Sequence, residues 1–170
     1  GDRNNLELLG MQNQLAREIM ATGKPVIVLL INGRPLAVNK IAQNADALIE
    51  GFYLGQEGGT AVANILFGKN NPSGKLAVTI PKSVGELPAY YNRKPSRMRS
   101  YIHTDNDPLF PFGFGLSYTT FNYSSPIIDK KEISITEKLK VELTVKNTGS
   151  RYGEEIVQLY IRDNVSEATR

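Results

Sequence analysis

Cysteine is absent from all 170 residues, which excludes disulfides, zinc–thiolate centres and cysteine nucleophiles. It leaves the compartment open, because secreted bacterial proteins often lack cysteine too. Histidine is nearly absent. His103 stands alone, so a histidine-based metal site or a Ser-His-Asp triad would need a second chain to complete it. The excess of charge of one sign is also small: 20 basic against 17 acidic residues give a net +3. The charges are spread along the chain, not the footprint expected of a nucleic-acid binder. The one local cluster, Arg93, Lys94, Arg97 and Arg99, reads as a solvated loop, with contact to an anion or substrate as the alternative. Long apolar runs are missing as well. The longest, Val26 to Ile31, falls far short of the roughly 20 residues a membrane helix needs, so no membrane insertion is expected. No signal peptide is recognisable. The opening Gly1-Asp2-Arg3-Asn4-Asn5 carries no initiating methionine and reads as the interior of a longer protein.

What is present points to a folded chain. Apolar content of 41% and charged content of 22% sit near globular averages. Met11, Leu15, Ile19 and Met20 predict one apolar face of a helix over 10–21, stopped by Gly23 and Pro25. Val26 to Ile31 follows without polar alternation, as a strand covered on both faces would, and Asn32-Gly33-Arg34-Pro35 turns the chain. The unit then repeats, with a short helix at 38–45, a strand at 47–53, a helix at 60–67 stopped by Gly68, and a third strand at Leu76–Ile80. Helices alternating with strands predict an α/β layer structure.

The pattern changes after Phe121. Leu139, Val141, Leu143 and Val145 alternate with Lys140, Glu142 and Thr144, the period of a strand with one wet face. Asn147-Thr148-Gly149 is a turn, and 155–161 is the next strand. This half predicts an antiparallel β-sandwich, of which only about three strands fit where such a domain needs about seven. Both folds are expected to be interrupted, with open sheet edges that favour association.

Between the halves, residues 108–121 hold five aromatic rings, two prolines and two glycines in fourteen positions. Proline removes backbone donors and glycine admits unusual φ, so no regular helix is expected. The rings would still be costly in water, at about 1.5–3 kcal/mol per side chain. An irregular junction between two bodies reconciles the two.

Candidate chemistry is sparse. The carboxylates Asp2, Glu7, Asp46, Glu50, Glu57, Glu86, Asp105 and Asp107 each read first as surface residues or caps. Glu57 lies in Gly55-Gln56-Glu57-Gly58-Gly59 beyond a predicted strand, where ligands gather in open α/β sheets; a tight turn is the competing reading. Neither that run nor Gly113-x-Gly115 has the spacing of a nucleotide fingerprint. Ser73 and Ser117 lie outside any nucleophile elbow. His103 could meet a sugar hydroxyl or be an ordinary loop residue.

The ordered motifs Asp2-Arg3-Asn4-Asn5-Leu6, Gly23-Lys24-Pro25-Val26, Asn32-Gly33-Arg34-Pro35, Gly55-Gln56-Glu57-Gly58-Gly59, Asn71-Pro72-Ser73-Gly74-Lys75-Leu76, Leu87-Pro88-Ala89-Tyr90-Tyr91-Asn92, the aromatic run and Gly153-Glu154-Glu155-Ile156-Val157-Gln158-Leu159-Tyr160 resemble the C-terminal part of glycoside hydrolase family 3, over essentially the whole chain. The resemblance implies a partial α/β sandwich, a mostly parallel sheet with helices on both faces, over 1–92. A loop and aromatic linker would fill 93–121, and the start of a fibronectin type III-like antiparallel sandwich 122–170. It implies part of a retaining, exo-acting β-glycosidase, a β-glucosidase before a β-xylosidase, that removes β-linked sugars from non-reducing ends without a cofactor. The aspartate nucleophile would lie in a barrel domain of the same protein, and the glutamate acid/base just before Gly1. No catalytic residue is then expected in this chain, and the fragment alone should hydrolyse nothing. Asp2 and Arg3 are carried over only as neighbours of the substrate. The partners implied are a β-glucoside or oligosaccharide and the barrel domain, with a homodimer left open, in a periplasmic or secreted setting. The alternative is a non-catalytic carbohydrate- or protein-binding module of the same ancestry.

Overall fold

The computed structural model describes residues 3–92, 107–163 and 165. Its contacts divide the chain into two compact units: Gly1–Ala61, Lys75–Phe114 and Gln158–Arg170 in one, Val62–Gly74 and Gly115–Val157 in the other. The Arg93, Lys94, Arg97, Arg99 cluster, His103, Asp105 and Asp2 lie outside the described residues.

The first unit is α/β. Helix α1 (Gln12–Met20) ends where expected, with Gly23 at φ +70° and Pro25 beyond it. Strand β1 (Ile27–Leu30), helix α2 (Asn39–Asn44) and strand β2 (Ala47–Glu50) follow. The two strands pair in parallel, Ile27 opposite Ala47 and Leu30 opposite Glu50, with α2 in the crossover. At the start of the pair, the Val26 amide donates to the Asp46 carboxylate at 2.7 Å, so Asp46 aligns the strands. The core is Leu30, Leu36, Val38 and Ile41, with Ala16, Met20, Val28 and Leu48 packed around it.

Two expectations for this unit fail in detail. Of the predicted face of α1 only Met20 packs on the core: Met11, Leu15 and Ile19 are 68%, 60% and 44% exposed. Ala16, one turn before Met20, makes the other contact. Nor is β1 covered on both faces, since Ile27 remains 53% exposed while Leu30 is buried.

The predicted third strand, Leu76–Ile80, forms no ladder among the described residues. It meets the aromatic run through a single antiparallel bridge between Ile80 and Phe110. Farther along, the Leu76 amide donates to the Phe114 carbonyl at 2.8 Å and the Gly113 amide to the Leu76 carbonyl at 2.7 Å. Pro81, fully buried, and Pro111 lack the amide protons that would extend the pairing. The rings of the run stack locally: Phe110 on Phe114 at 5.2 Å between centroids, and Phe112 on Tyr91 at 4.5 Å.

Helix α3 (Gly58–Leu66) leads into the second unit, which contains antiparallel pairs. Strand β3 (Phe121–Tyr123) pairs with β6 (Val145–Asn147), and β4 (Ile127–Ile128) with β5 (Val141–Glu142). The single alternating strand expected at 139–145 is therefore split in two. Between its parts the Ser124 side chain enters the ladder, its hydroxyl accepting from the Thr144 amide at 2.9 Å. Residues 155–161 form no strand among the described residues. Within this unit Asn71 acts as a clasp. Its Oδ1 accepts from the Tyr118 amide at 2.7 Å and the Ser117 hydroxyl at 3.0 Å, and its Nδ2 donates to the Tyr152 carbonyl at 3.1 Å.

Candidate functional site

The C-terminal end of a parallel strand pair is where loops are free to diverge and ligands gather in α/β sheets. In the first unit that end carries Asn32-Gly33-Arg34-Pro35 after β1 and Glu50-Gly51-Phe52-Tyr53 after β2. The chain's first described residues run beside it, because the Ala37 amide donates to the Leu6 carbonyl at 2.8 Å and Leu8 packs on the core. Arg3 is thereby brought to the Gly33–Pro35 loop, half-buried, with its Nη1 donating to the Glu7 carbonyl at 3.1 Å.

Together they border an open cleft of about 750 Å³. Arg3, Asn4 and Asn5 form one side and Gly33, Arg34 and Pro35 the next. Segment 77–81, the Val84–Glu86 3-10 turn and Tyr90, Tyr91 and Phe112 complete it. Guanidinium and amide groups converge on an aromatic and apolar lining, a combination suited to a neutral polyol with apolar faces. Tyr91 is engaged by its stack on Phe112, whereas Tyr90 stays 66% exposed.

Two of the other carboxylates, Asp46 and Glu86, accept from backbone amides. Asp46 holds β1. One Glu86 oxygen accepts from the Lys82 amide at 2.8 Å, and the other is buried without a partner. Glu57 is exposed ahead of α3, where the Gly58 amide donates to the Gly55 carbonyl at 2.9 Å, the tight-turn reading of that glycine run. Glu7 and Asp107 are exposed. The Ser117 hydroxyl is committed to Asn71. No cluster of three or more histidine or acidic residues fit for a metal occurs among the described residues, and no helix there is long and apolar enough to cross a membrane.

Glu50 is different. Its Oε1 accepts from the Phe52 amide at 3.0 Å and its Oε2 from the Asn32 side-chain amide at 3.5 Å. Burial pushes its pKa up, against the opposing pull of those two donors. Among the expected residues, Arg3 is in the cleft and Asp2 lies outside the described residues. The sequence reading missed Arg34, Tyr90 and Tyr91 as cleft residues, and took Glu50, one of its candidate carboxylates, first as a surface residue or cap. The rule of the strand end, applied to Glu57, applies equally to Glu50 seven residues earlier.

Residues 1–118 match the family model described as the glycosyl hydrolase family 3 C-terminal domain. Over its full length the chain is 47% identical to a β-xylosidase of Formosa agariphila, covering 24% of that protein. Over 99% of its length it is 41% identical to a periplasmic β-glucosidase of Salmonella typhimurium, covering 23% of it. Among solved structures, a β-glucosidase of Erythrobacter marinus superposes with a TM-score of 0.94 at 50% identity, over 99% of this chain and 23% of that one. A Listeria innocua β-glucosidase solved with isofagomine gives 0.88 at 36% identity, over 97% of this chain and 25% of that one. The chain thus spans about a quarter of the length of the curated relatives it matches.

Proposed function

The chain belongs to glycoside hydrolase family 3, and from that premise we propose that it is the C-terminal part of a retaining, exo-acting β-glucosidase. Such an enzyme releases β-linked sugars from non-reducing ends by double displacement between two carboxylates. The family match over 1–118 is the observation that carries this reading, and relatives named β-glucosidase and β-xylosidase support it. The nucleophile and the acid/base are assigned to sequence outside these residues, the former in a barrel domain of the same protein. The chain itself divides into an α/β sandwich part over 1–92, a linker over 93–121 and the start of a fibronectin type III-like domain over 122–170. The antiparallel pairs β3–β6 and β4–β5 are in keeping with the last. A periplasmic or secreted location follows the name of the Salmonella relative. Asp2 and Arg3 are neighbours of the substrate; the opening of the cleft beside Arg3 favours this.

The test is hydrolysis by the full-length protein. It is expected to release p-nitrophenol from the aryl β-glucoside faster than from the β-xyloside. The first sugar seen by proton NMR should be the β-anomer. An α-anomer appearing first would remove the retaining mechanism. No release from either glycoside would favour the binding-module alternative. In the same assay Arg3→Ala is expected to raise KM; an unchanged KM takes Arg3 out of the site.

A further inference from the structure

We propose that Glu50 and Asn32 act as a positioning pair that holds the Gly33–Pro35 wall of the cleft, and thereby sets the fit of the β-glycoside there. The proposal rests on the glycosidase reading for its substrate, and on geometry alone for the wall.

The geometry is a short relay. Glu50 is the last residue of β2, level with Leu30, the last of β1, and Asn32 lies two residues past Leu30 in the loop that follows. The Asn32 Nδ2 group donates to Glu50 Oε2 at 3.5 Å and to the Arg34 carbonyl at 2.6 Å. The end of one strand is thus tied, through one amide, to the loop that follows the other. The second oxygen of Glu50 takes the Phe52 amide. Phe52 stands at φ +48°, a conformation that costs a side-chain-bearing residue about 1–2 kcal/mol and persists only where its surroundings hold it. The residue after it closes the loop from the other side. A Cβ on Gly33 would lie 2.5 Å from the Tyr53 ring, so that ring covers the Gly33 backbone.

A second observation fixes the direction of the tie. Asn32 Oδ1 is buried without a hydrogen-bond partner. An orphaned acceptor costs about 1–3 kcal/mol, and turning the amide over would instead set its oxygen against the Arg34 carbonyl and the Glu50 carboxylate. The amide is held for its donor. Glutamine at position 50 could keep the Phe52 contact through its oxygen, but its NH2 group would then face the Asn32 Nδ2 donor and the tie would be lost. The burial that raises the Glu50 pKa supports the same picture of a carboxylate placed for its contacts and not for solubility.

The experiment compares wild-type full-length protein with Glu50→Ala, Glu50→Gln and Asn32→Ala, with Val145→Ala in strand β6 as a control. Three quantities are read: KM and kcat on the aryl β-glucoside, and amide hydrogen exchange of the peptide covering 31–37. Glu50→Ala and Asn32→Ala are each expected to raise KM about tenfold, roughly one lost hydrogen bond to a charged group, with kcat within about twofold and faster exchange in 31–37. The double variant should be no worse than either single one, as for one shared network. Glu50→Gln, which keeps the Phe52 contact and loses the Asn32 tie, should raise KM as Asn32→Ala does, and Val145→Ala should leave KM unchanged. Unchanged exchange in 31–37, additive effects, or a fall in thermal stability with KM untouched would overturn the proposal. Should Glu50→Ala not fold, Asn32→Ala reads the same tie with the carboxylate still bound to Phe52. If the wild type hydrolyses no glycoside but exchange rises in the variants, the assigned activity fails, while the pair stands as the holder of the wall.

Discussion

A carboxylate at the end of a parallel strand must be paired, hydrated or protonated, and Glu50 is only partly relieved by its two donors. Burial dominates and holds its pKa above the ordinary value near 4.5. The sign of the consequence follows from linkage. The native state then keeps the Glu50 proton to higher pH than the unfolded chain does, so stability falls as pH rises through the interval between the two pKa values. Glutamine has no proton to lose. The stability of wild type minus that of Glu50→Gln is therefore expected to decrease from about pH 4.5 upward and to level off above the raised value. Denaturant midpoints of the two proteins across pH 4–8 check this. A difference that grows with pH would mean that the donors from Phe52 and Asn32 outweigh burial.

At the scale of elements, β1–α2–β2 is the framework on which the cleft stands, and α2 is its thinnest part. Helix α2 is short and has no side-chain cap, so its place depends on Ile41, 3% exposed against Leu30, Leu36 and Val38. Ile41→Ala is expected to cost about 2–5 kcal/mol, the usual range for emptying a packed core site. Native-state hydrogen exchange should show this as faster exchange in α2 and β1, with β3–β6 unaffected. This framework was legible in the sequence because period and punctuation agree there: the Val26–Ile31 run, Gly23 and Pro25 before it, and Asn32-Gly33 after it. The segments misread are those where a side chain overrides the backbone pattern. Leu76–Ile80 looks like a strand, but the prolines and glycines of the aromatic run admit one bridge instead of a ladder. Leu139–Val145 alternates correctly, yet the Ser124 hydroxyl interrupts it. The cleft was legible only at Arg3, through a motif. Glu50 carried the signal of a strand end, whereas Tyr90 and Tyr91 carry no local signal, because their place in the cleft depends on which distant segments the fold brings together.

For the whole molecule, the apolar surface left open sets how the chain behaves on its own. Met11, Leu15 and Ile19 make an exposed apolar stripe on α1, and Ile27 in β1 and Ile31 just after it are 53% and 62% exposed. Each large side chain kept from water is worth about 1.5–3 kcal/mol, so a surface that covers even part of this set outweighs the entropy of ordering a few side chains. Under the proposed function, the barrel domain is the natural source of such a surface. The 170-residue chain alone is accordingly expected to bind a hydrophobic dye and to sediment as a mixture of sizes. Its melting midpoint should vary with concentration, and it should release no p-nitrophenol from an aryl β-glucoside. The full-length protein should melt independently of concentration and hydrolyse the glycoside. A monomeric isolated chain with a cooperative, concentration-independent melt would show that the α1 stripe and β1 need no cover. Hydrolysis by that chain would place a working carboxylate pair within these residues.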